Sequence, residues 1–270
     1  MLYVVTAVHN RKPITEQFVD QLLAQTYSDI QLVLVDDGST DGTADMVREK
    51  MPNAVILQGD GNLWWGGALH KAYGWMKKSS LNDQDYVMFS NDDVMFDKRY
   101  VETALSILKD RPDTLLTGYG VSIQTGKQID GAVKFRFPKM LSGTIRAAEA
   151  EGNCASTRSL FFRVRDWKMI GGFHPVLLPH YLSDYEWTIR GSRKGLRIYC
   201  TGLLQYGVNE ATTGYKKPTM KTIFSKRSVS NPFYKINFAL LAAPWGKKLA
   251  SAVCQGCRFF QRVVEKENDV

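Results

Sequence analysis

The stretch "IQLVLVDDGSTDGTADMVREK", residues Ile30–Lys50, combines the signals of a strand, an acidic turn and a helix. Residues Ile30–Val35 are mostly valine, leucine and isoleucine, as expected of a strand that is covered on both faces. Asp36 and Asp37 follow at once, and "GSTDGT" then favours the start of a helix over Asp41–Lys50. The stretch therefore predicts a strand–turn–helix unit of an α/β sheet, with carboxylates at the end of the strand.

The same alternation of strands and helices extends over the first half of the chain. It predicts an α/β doubly wound sheet, in which ligands bind beyond the carboxyl ends of the strands. Beyond Gly120 the pattern is looser, although "SLFFRVRDWKMIGGF" predicts a strand and a short helix, and "LSDYEWTIRGSRKGLRIYC" a helix and a strand. The other predicted strands are Leu2–Val8, Ala54–Leu57, Tyr86–Ser90 and Leu115–Gly118, and the other predicted helices are Pro13–Gln25, Trp64–Lys78 and Lys98–Lys109.

The composition suits one large folded domain, or a domain with an appendage. The 270 residues have a hydrophobic content of 44% and a net charge of +8, with basic residues concentrated in Lys216–Arg262. That charge indicates a partner that carries phosphate, such as nucleic acid, an anionic lipid or a lipid-linked substrate, or else simply a solvated surface. No apolar run reaches the roughly 18 to 20 residues that span a bilayer, and no secretory signal precedes the first strand. We therefore expect a cytoplasmic protein.

A second acidic cluster, Asn91-Asp92-Asp93, directly follows the predicted strand Tyr86–Ser90. Carboxylates beside a core are costly unless a partner compensates their charge. Carboxylate and amide oxygens are typical ligands of Mg²⁺ or Mn²⁺, which keep waters and substrate phosphates in their other positions. Such an ion would also neutralise a nucleoside diphosphate leaving group. An Asx-rich turn without a metal is the alternative interpretation.

A third acidic pair, Asp184 and Glu186, occurs at the start of the helix predicted in "SDYEWTIRGSRKG". Carboxylates are favoured at this end of a helix by its dipole, so both residues can be surface charges. A carboxylate placed here can also act as a general base that takes a proton from an attacking hydroxyl.

Together these motifs resemble those of the family 2 glycosyltransferases, which have the GT-A fold. The resemblance covers the chain from about Leu2 to Gly207 and implies a mostly parallel sheet flanked by helices. It implies a catalytic domain at 1–210, with nucleotide binding in 1–120 and acceptor binding in 121–210, and a C-terminal helical extension at 211–270. The matching segments, in the family order, are "TAVHNR", "VDDGSTDGT", "GNLWWGGALHKAYGW", "FSNDDV", "GGF" and "SDYEWTIRGSRKGLRI".

The resemblance also implies roles for individual residues. Asp93, together with Asn91, would hold a divalent metal, Mn²⁺ or Mg²⁺, because Asn91 replaces the first aspartate of the family's metal motif. Asp184 would be the catalytic base, and Glu186 is its rival because the family often has Glu-Asp where this chain has Ser183-Asp184. The residues that would bind the nucleotide-sugar are Thr6, His9, Asn10, Arg11, Asp36, Asp37, Asn62, Trp64, Trp65, Asn91 and Asp92.

The implied activity is that of an inverting, metal-dependent glycosyltransferase, similar to the rhamnosyl- or galactosyltransferases of bacterial polysaccharide assembly. It would move a hexose or deoxyhexose from a UDP- or dTDP-linked donor to a glycan acceptor, lipid-linked in O-antigen or capsule synthesis. A sugar nucleotidyltransferase is the first alternative, but a glycine-rich phosphate loop is absent from the sequence. A nucleic-acid-binding module is the second, but its phosphates would be repelled by the three acidic clusters.

The end of the chain, "PWGKKLASAVCQGCRFFQRVVEK", predicts a basic amphipathic helix of the kind that lies in a membrane interface. An anionic membrane surface, at the cytoplasmic face of the inner membrane, is therefore a possible partner. The alternative is that the apolar stripe packs on the catalytic domain or on another subunit of a homo-oligomer. The stripe consists of Leu249, Val253, Cys254, Cys257, Phe260 and Val264, with Trp245 at its start and Lys247, Lys248, Arg258 and Arg262 beside it.

Overall fold

The computed structural model describes residues 1–212, 222–226 and 228–267, and the side chains of the last helix as far as Phe259. The strands of these residues are β1 (Leu2–Val8), β2 (Ile30–Asp36), β3 (Val55–Gln58), β4 (Tyr86–Ser90), β5 (Val94–Met95), β6 (Thr114–Ser122), β7 (Gln128–Asp130), β8 (Ala132–Arg136), β9 (Leu141–Thr144), β10 (Glu149–Gly152), β11 (Cys154–Ala155), β12 (Ser159–Arg163) and β13 (Arg197–Val208). The helices are α1 (Lys12–Leu23), α2 (Thr43–Lys50), α3 (Trp64–Lys78), α4 (Tyr100–Asp110), α5 (Val164–Ile170), α6 (Ser183–Arg193), α7 (Pro232–Ala242) and α8 (Lys248–Glu267), with short 3₁₀ turns at Glu210–Thr212 and Trp245–Lys247.

The main sheet has the strand order β10-β13-β6-β12-β4-β1-β2-β3. Strands β3, β2, β1, β4, β6 and β13 run in one direction, while β12 and β10 run in the other. The mostly parallel sheet flanked by helices is thus confirmed. In addition, β5 pairs with β13, β7 pairs with β6, and β11, β8 and β9 form a small second sheet.

Both faces of the main sheet are covered by helices, which explains why its strands are apolar throughout. Successive residues of a strand point to opposite faces. In β1, Val4 packs into a core with Phe18 of α1 on one face, whereas Val5 packs into a core with Leu69 of α3 on the other. The sequence of β1 therefore lacks the polar alternation of a half-exposed strand.

Most of the predicted elements are present within one or two residues. Besides the short strands β5, β7 and β10, two features were not predicted. The first is the small sheet of β11, β8 and β9. The second is α7, which lies inside the extension 211–270 and whose buried Phe238 packs edge-to-face against Phe135 of β8, with ring centroids 5.2 Å apart. Because Phe238 shares a buried cluster with Ile189 of α6, α7 packs against the preceding part of the chain. The division at residue 210 stays a prediction.

The amphipathic C-terminal helix is present as α8, and it packs with its polar side inward. Ser251 and Gln255 are buried, whereas Leu249 is 78% exposed and Val253 is 64% exposed. For these two residues the alternative that the stripe packs on the catalytic domain is wrong. Phe260 and Val264 lie outside the described side chains. In the part of the chain that the structure describes, none of the helices has both the length and the apolar character needed to span a bilayer.

Candidate active site

A cleft of about 770 Å³ opens at the carboxyl ends of β1, β2 and β4. Because these strands are parallel neighbours in the sheet, the polar segments that follow them meet at one edge. The opposite wall comes from the residues before β12 and before α6. The lining residues are Ala7, Val8, His9, Arg11, Asp37, Gly61, Trp64, Trp65, Asn91, Asp92, Ser156, Thr157, Arg158, His180, Tyr181 and Asp184.

The cleft brings together residues from all three acidic clusters, but not every predicted site residue. Thr6 is fully buried in β1, Asn10 and Asn62 are exposed, and Asp36 is buried behind the strand end. The predicted residues that line the cleft are His9, Arg11, Asp37, Trp64, Trp65, Asn91, Asp92 and Asp184, and those outside its lining are Thr6, Asn10, Asp36, Asn62, Asp93 and Glu186.

The charge of the second acidic cluster is compensated by Arg11. Its Nη1 lies 3.2 Å from Oδ1 of Asp92, and its Nη2 lies 3.2 Å from Oδ2 of Asp93. The Thr15 hydroxyl donates to the other oxygen of Asp92 at 2.9 Å. Burial nevertheless raises the pKa of Asp92 to about 6, even though Arg11 and Thr15 act to lower it. The guanidinium therefore occupies the neighbourhood in which a metal would compete for the same carboxylates.

The oxygen donors at the end of β4 are chemically suited to a divalent ion that is bound together with substrate. Among the described residues, no group of three or more His, Cys, Asp or Glu side chains is placed to hold a metal ion. Mg²⁺ is, however, commonly held by only one or two carboxylates, with waters and substrate phosphates completing its coordination. The Asn91-Asp92-Asp93 segment meets that requirement, with Asp92 rather than Asp93 in the cleft lining.

The carboxylate of Asp37 organises the loop that leads into α3. It accepts hydrogen bonds from the backbone N–H groups of Gly61 at 2.9 Å and Leu63 at 3.0 Å. The Nδ1 atom of His9 donates to the carbonyl oxygen of Asp37 at 2.6 Å. Asp37 thus fixes the position of two further residues of the cleft, His9 and Gly61.

Asp36 and Asn10 hold the loops on the other side of the strand ends. The Asp36 carboxylate accepts from the backbone N–H of Ser39 at 2.8 Å. The side-chain oxygen of Asn10 accepts from the backbone N–H of Thr40, also at 2.8 Å. These contacts are those of turn-forming residues.

The start of α3 is joined to the segment before α6. Trp64 has φ +57°, and its ring centroid lies 5.4 Å from that of His180. Trp65 donates from its Nε1 to the Thr157 hydroxyl at 2.8 Å, and the backbone N–H of Gly66 donates to the carbonyl of Pro179 at 2.8 Å. The two tryptophans therefore form one packed unit with Thr157 and the segment before α6.

Asp184 and Glu186 have different surroundings although they are two residues apart. Asp184 lines the cleft, and burial raises its pKa to about 6. Glu186 is buried and paired with Arg190, whose Nε and Nη2 lie 3.0 and 2.8 Å from its two oxygens. Arg190 also donates to the carbonyl of Gly172 in the "GGF" turn. Asp184 is thus presented to the cleft, whereas both carboxylate oxygens of Glu186 are engaged by Arg190.

Sequence reasoning missed the wall formed by Ser156, Thr157 and Arg158. These residues precede β12, which runs antiparallel to β4, with Ser159 opposite Ser90. The start of β12 therefore lies beside the end of β4, and the backbone N–H of Asn91 donates to the carbonyl of Arg158 at 3.0 Å. No local sequence motif indicates that these residues line the cleft, because their position depends on the pairing of strands that are distant in the sequence.

Comparisons with known proteins agree with this architecture. The profile of "Glycosyl transferase family 2" matches residues 3–168. The chain is 26% identical over 110 residues to the N-acetylglucosaminyl-diphospho-decaprenol L-rhamnosyltransferase of Mycobacterium tuberculosis, a match that covers 39% of this chain and 36% of that relative. The chain thus matches only about a third of that relative's length.

Solved structures show the fold. A mannosyltransferase from Pyrobaculum calidifontis, solved with GDP-Man and Mn²⁺, superposes with a TM-score of 0.58 at 16% identity, over 93% of this chain and 64% of its own. GalNAc-T7, solved with UDP, GalNAc and Mn²⁺, superposes with a TM-score of 0.64 at 11% identity, over 95% of this chain and 54% of its own. The predicted GT-A fold is therefore confirmed. Since the family profile covers more than half of the 270 residues, the chain belongs to glycosyl transferase family 2.

Proposed function

We propose that the protein is an inverting glycosyltransferase that moves a hexose or deoxyhexose from a UDP- or dTDP-linked donor to a hydroxyl of a glycan acceptor. One observation carries the proposal: Asp37, Asp92 and Asp184, from three distant parts of the chain, line a single cleft. Its volume of about 770 Å³ lies in the range of small-molecule sites. In a family 2 chain, this combination is best explained by a nucleotide-sugar beside an acceptor.

The donor would bind at the ends of β1, β2 and β4, with its diphosphate toward Arg11 and the Asn91-Asp92-Asp93 segment. Asp93 and Asn91 are the predicted ligands of a divalent ion, Mn²⁺ or Mg²⁺, and Asp92 lines the cleft beside them. Such an ion, when bound, supplies positive charge that stabilises the departing diphosphate. The Mn²⁺ in the two related structures supports this assignment.

Asp184 would accept the proton of the acceptor hydroxyl as its oxygen attacks the anomeric carbon. The new bond joins that carbon to the acceptor oxygen, while the bond to the diphosphate oxygen breaks and its electron pair leaves with the nucleotide. Attack from the face opposite the leaving group inverts the anomeric configuration. With a pKa of about 6, the Asp184 carboxyl is mostly ionised at neutral pH and still basic enough to take a proton.

Trp64 is the residue best placed to contact the transferred sugar. It lines the cleft, and its Nε1 is buried without an acceptor among the described residues. A buried donor without a partner is costly, so a sugar hydroxyl that accepts from Nε1 would satisfy it. The neighbouring Trp65 already donates its Nε1–H to Thr157. This hydrogen bond fixes the indole ring beside which the sugar would lie.

The proposed acceptor is a lipid-linked glycan of O-antigen or capsule synthesis, reached at the cytoplasmic face of an anionic membrane. The exposed side of α8 supports this part of the proposal. Trp245 is 88% exposed, and it lies at the start of the same face as Leu249 and Val253. Lys248 lies over the Trp245 ring, with its Nζ 5.3 Å from the centroid. Apolar side chains beside lysines are typical of helices that lie in an anionic membrane interface.

The direct test is to incubate a panel of UDP-, dTDP- and GDP-sugars with the purified protein and Mn²⁺. The readout is the amount of nucleoside diphosphate released. We expect release from a UDP- or dTDP-linked sugar, stimulated by a glycan acceptor and lost on chelation of the metal. Asp184→Asn is the matched control, because it removes the base with almost no change in shape. Failure of every donor to bind in calorimetry would overturn the proposed function.

A further inference from the structure

Arg158 is a cationic residue of the cleft that belongs to none of the motifs above. It directly precedes β12, and its carbonyl accepts from the N–H of Asn91. The arginine therefore lies at the boundary between the acidic end of β4 and the wall that carries Asp184. Its side chain is 25% exposed, and the residue lines the cleft.

Asp130 holds Arg158 from behind. The Asp130 carboxylate accepts from the hydroxyls of Ser156 at 2.6 Å and Tyr206 at 2.8 Å, both at Oδ2, and from the N–H of Gly131 at 2.8 Å at Oδ1. The same Oδ2 lies 3.8 Å from Nη1 of Arg158. Asp130 is therefore fixed by shorter contacts and attracts the guanidinium without a close hydrogen bond.

The guanidinium keeps its donors available for a ligand. It has five N–H donors, and none of them forms a hydrogen bond to a residue in the described part of the chain. Burial acts to lower the pKa of Arg158, but Asp130, Tyr206, Asp93 and Asp184 together raise it above its usual value. Arg158 is therefore permanently charged, and it interacts electrostatically with carboxylates on both sides of the cleft.

Arg11 has less capacity for a ligand than Arg158. Its two terminal nitrogens already contact Asp92 and Asp93 at 3.2 Å each. Among the lysines and arginines that line the described cleft, Arg158 is thus the one whose donors are not engaged by a close carboxylate.

We propose that Arg158 binds the β-phosphate of the nucleotide donor, and that Asp130 is the residue that positions it. The inference rests on the proposed function. We choose the β-phosphate, which carries the sugar, because Arg158 lies between the end of β4 and Asp184. A planar guanidinium can donate two parallel hydrogen bonds to a phosphate. The negative charge that the diphosphate gains as the glycosidic bond breaks strengthens these bonds in the transition state.

The test compares nucleoside diphosphates with monophosphates in calorimetry with Mn²⁺, on the whole chain. The probes are UDP, dTDP and GDP and the corresponding monophosphates. For Arg158→Met we expect a roughly 10- to 100-fold weaker diphosphate affinity, since the charge-assisted hydrogen bonds to the phosphate are lost. Monophosphate affinity should change less than about two-fold, because the β-phosphate is absent from that probe.

Two further variants separate binding from folding. Arg158→Lys keeps the positive charge but loses the planar pair of donors. Compared with Arg158→Met, it should therefore restore part of the preference for diphosphates over monophosphates. Asp130→Asn should lower that preference less than Arg158→Met does. Arg48→Met is the control, because it removes an equal charge from an exposed pair with Asp45 on α2.

The outcomes are distinguishable. If the parent protein binds none of the six nucleotides, the proposed function is overturned and the role of Arg158 with it. If the parent binds and Arg158→Met keeps its diphosphate preference, only the role of Arg158 is overturned. An equal loss of both nucleotide classes would identify Arg158 as structural, and it would also overturn the inference.

Discussion

The guanidinium of Arg11 lies 3.2 Å from the carboxylate of Asp92, a side chain that is 1% exposed. The pair joins the start of α1 to the end of β4, and the second nitrogen of Arg11 reaches Asp93. A buried carboxylate without a cation strongly destabilises a fold. Arg11 therefore supplies within the chain the positive charge that this edge of the sheet requires.

Arg11→Ala should lower the free energy of unfolding by about 1–3 kcal/mol, because Asp92 then keeps Thr15 but loses its cation. Added Mn²⁺ should raise the melting temperature of this variant more than that of the parent, since the ion binds carboxylates that Arg11 no longer occupies. Thermal melts with Mn²⁺ and with a chelator measure both effects. Arg48→Ala, at an exposed pair, is the control, and an equal Mn²⁺ shift in all three proteins would contradict the prediction.

Asp184→Asn should reduce the transfer rate by about 10²- to 10⁴-fold, the usual contribution of a general base. Donor affinity should stay within about two-fold of the parent, because the proposed role of the residue concerns the acceptor hydroxyl and not the donor. Steady-state rates and calorimetry measure the two quantities. Glu186→Gln is the informative comparison, since its loss should act through stability as the ion pair with Arg190 weakens. A fully active Asp184→Asn variant would remove Asp184 from the mechanism.

The transfer rate of the parent should rise with pH through a midpoint near 6, as the Asp184 carboxyl loses its proton. Burial is the main cause of this raised pKa, with Asp130 raising it further and Arg158 lowering it. A pH–rate profile from 5 to 8 measures the midpoint. A flat profile over this range would contradict the assignment of Asp184 as the base.

The same raised pKa predicts how stability depends on pH. Because the folded carboxyl has a pKa of about 6 and the unfolded one 3.8, the folded state binds the proton more tightly, and its stability falls as the pH rises through this interval. Asp184→Asn should therefore unfold with a free energy about 3 kcal/mol higher than the parent at pH 7.5. The difference should disappear near pH 4. Urea denaturation at the two pH values tests the sign.

Gly66→Ala should destabilise the protein by about 1–3 kcal/mol, because an added Cβ would lie 2.5 Å from the carbonyl oxygen of Leu178. Gly74 is a matched control in the same helix, since no atom lies within 4 Å of its added Cβ. Gly74→Ala should stabilise α3 by about 0.5–1 kcal/mol. Equal effects of the two substitutions in urea denaturation would show that α3 and the segment before α6 are not tightly packed.

Leu249→Glu combined with Val253→Glu should lower the fraction of protein that pellets with anionic vesicles at least five-fold. Both side chains are exposed on α8, and charges oppose insertion into the apolar boundary of a bilayer. Val176→Glu combined with Leu203→Glu is the control, because these side chains are equally exposed elsewhere on the surface. If the α8 variant instead dissociates a dimer in light scattering, the face is a subunit interface.

The local parts of the fold could be predicted from the sequence, and the non-local parts could not. The bounds of β1, β4 and α3 follow from apolar runs and the residues that flank them. The wall at Ser156–Arg158 required knowledge that β12 inserts between β4 and β6. Asp184 and Glu186 could have been separated in advance, since residues two apart on a helix point about 200° from each other.

The direction of β12 has a consequence for how the cleft is divided. Because β12 is antiparallel to β4 and β6, its first residue rather than its last lies at the edge of the sheet that forms the cleft. This edge is therefore lined both by segments that follow parallel strands and by the segment that precedes β12. Changes in the three residues that enter β12 can reshape one wall while the ladder from Ser159 to Arg163 keeps its partners. Selectivity for one of the two substrates can thus change without a change in the affinity for the other.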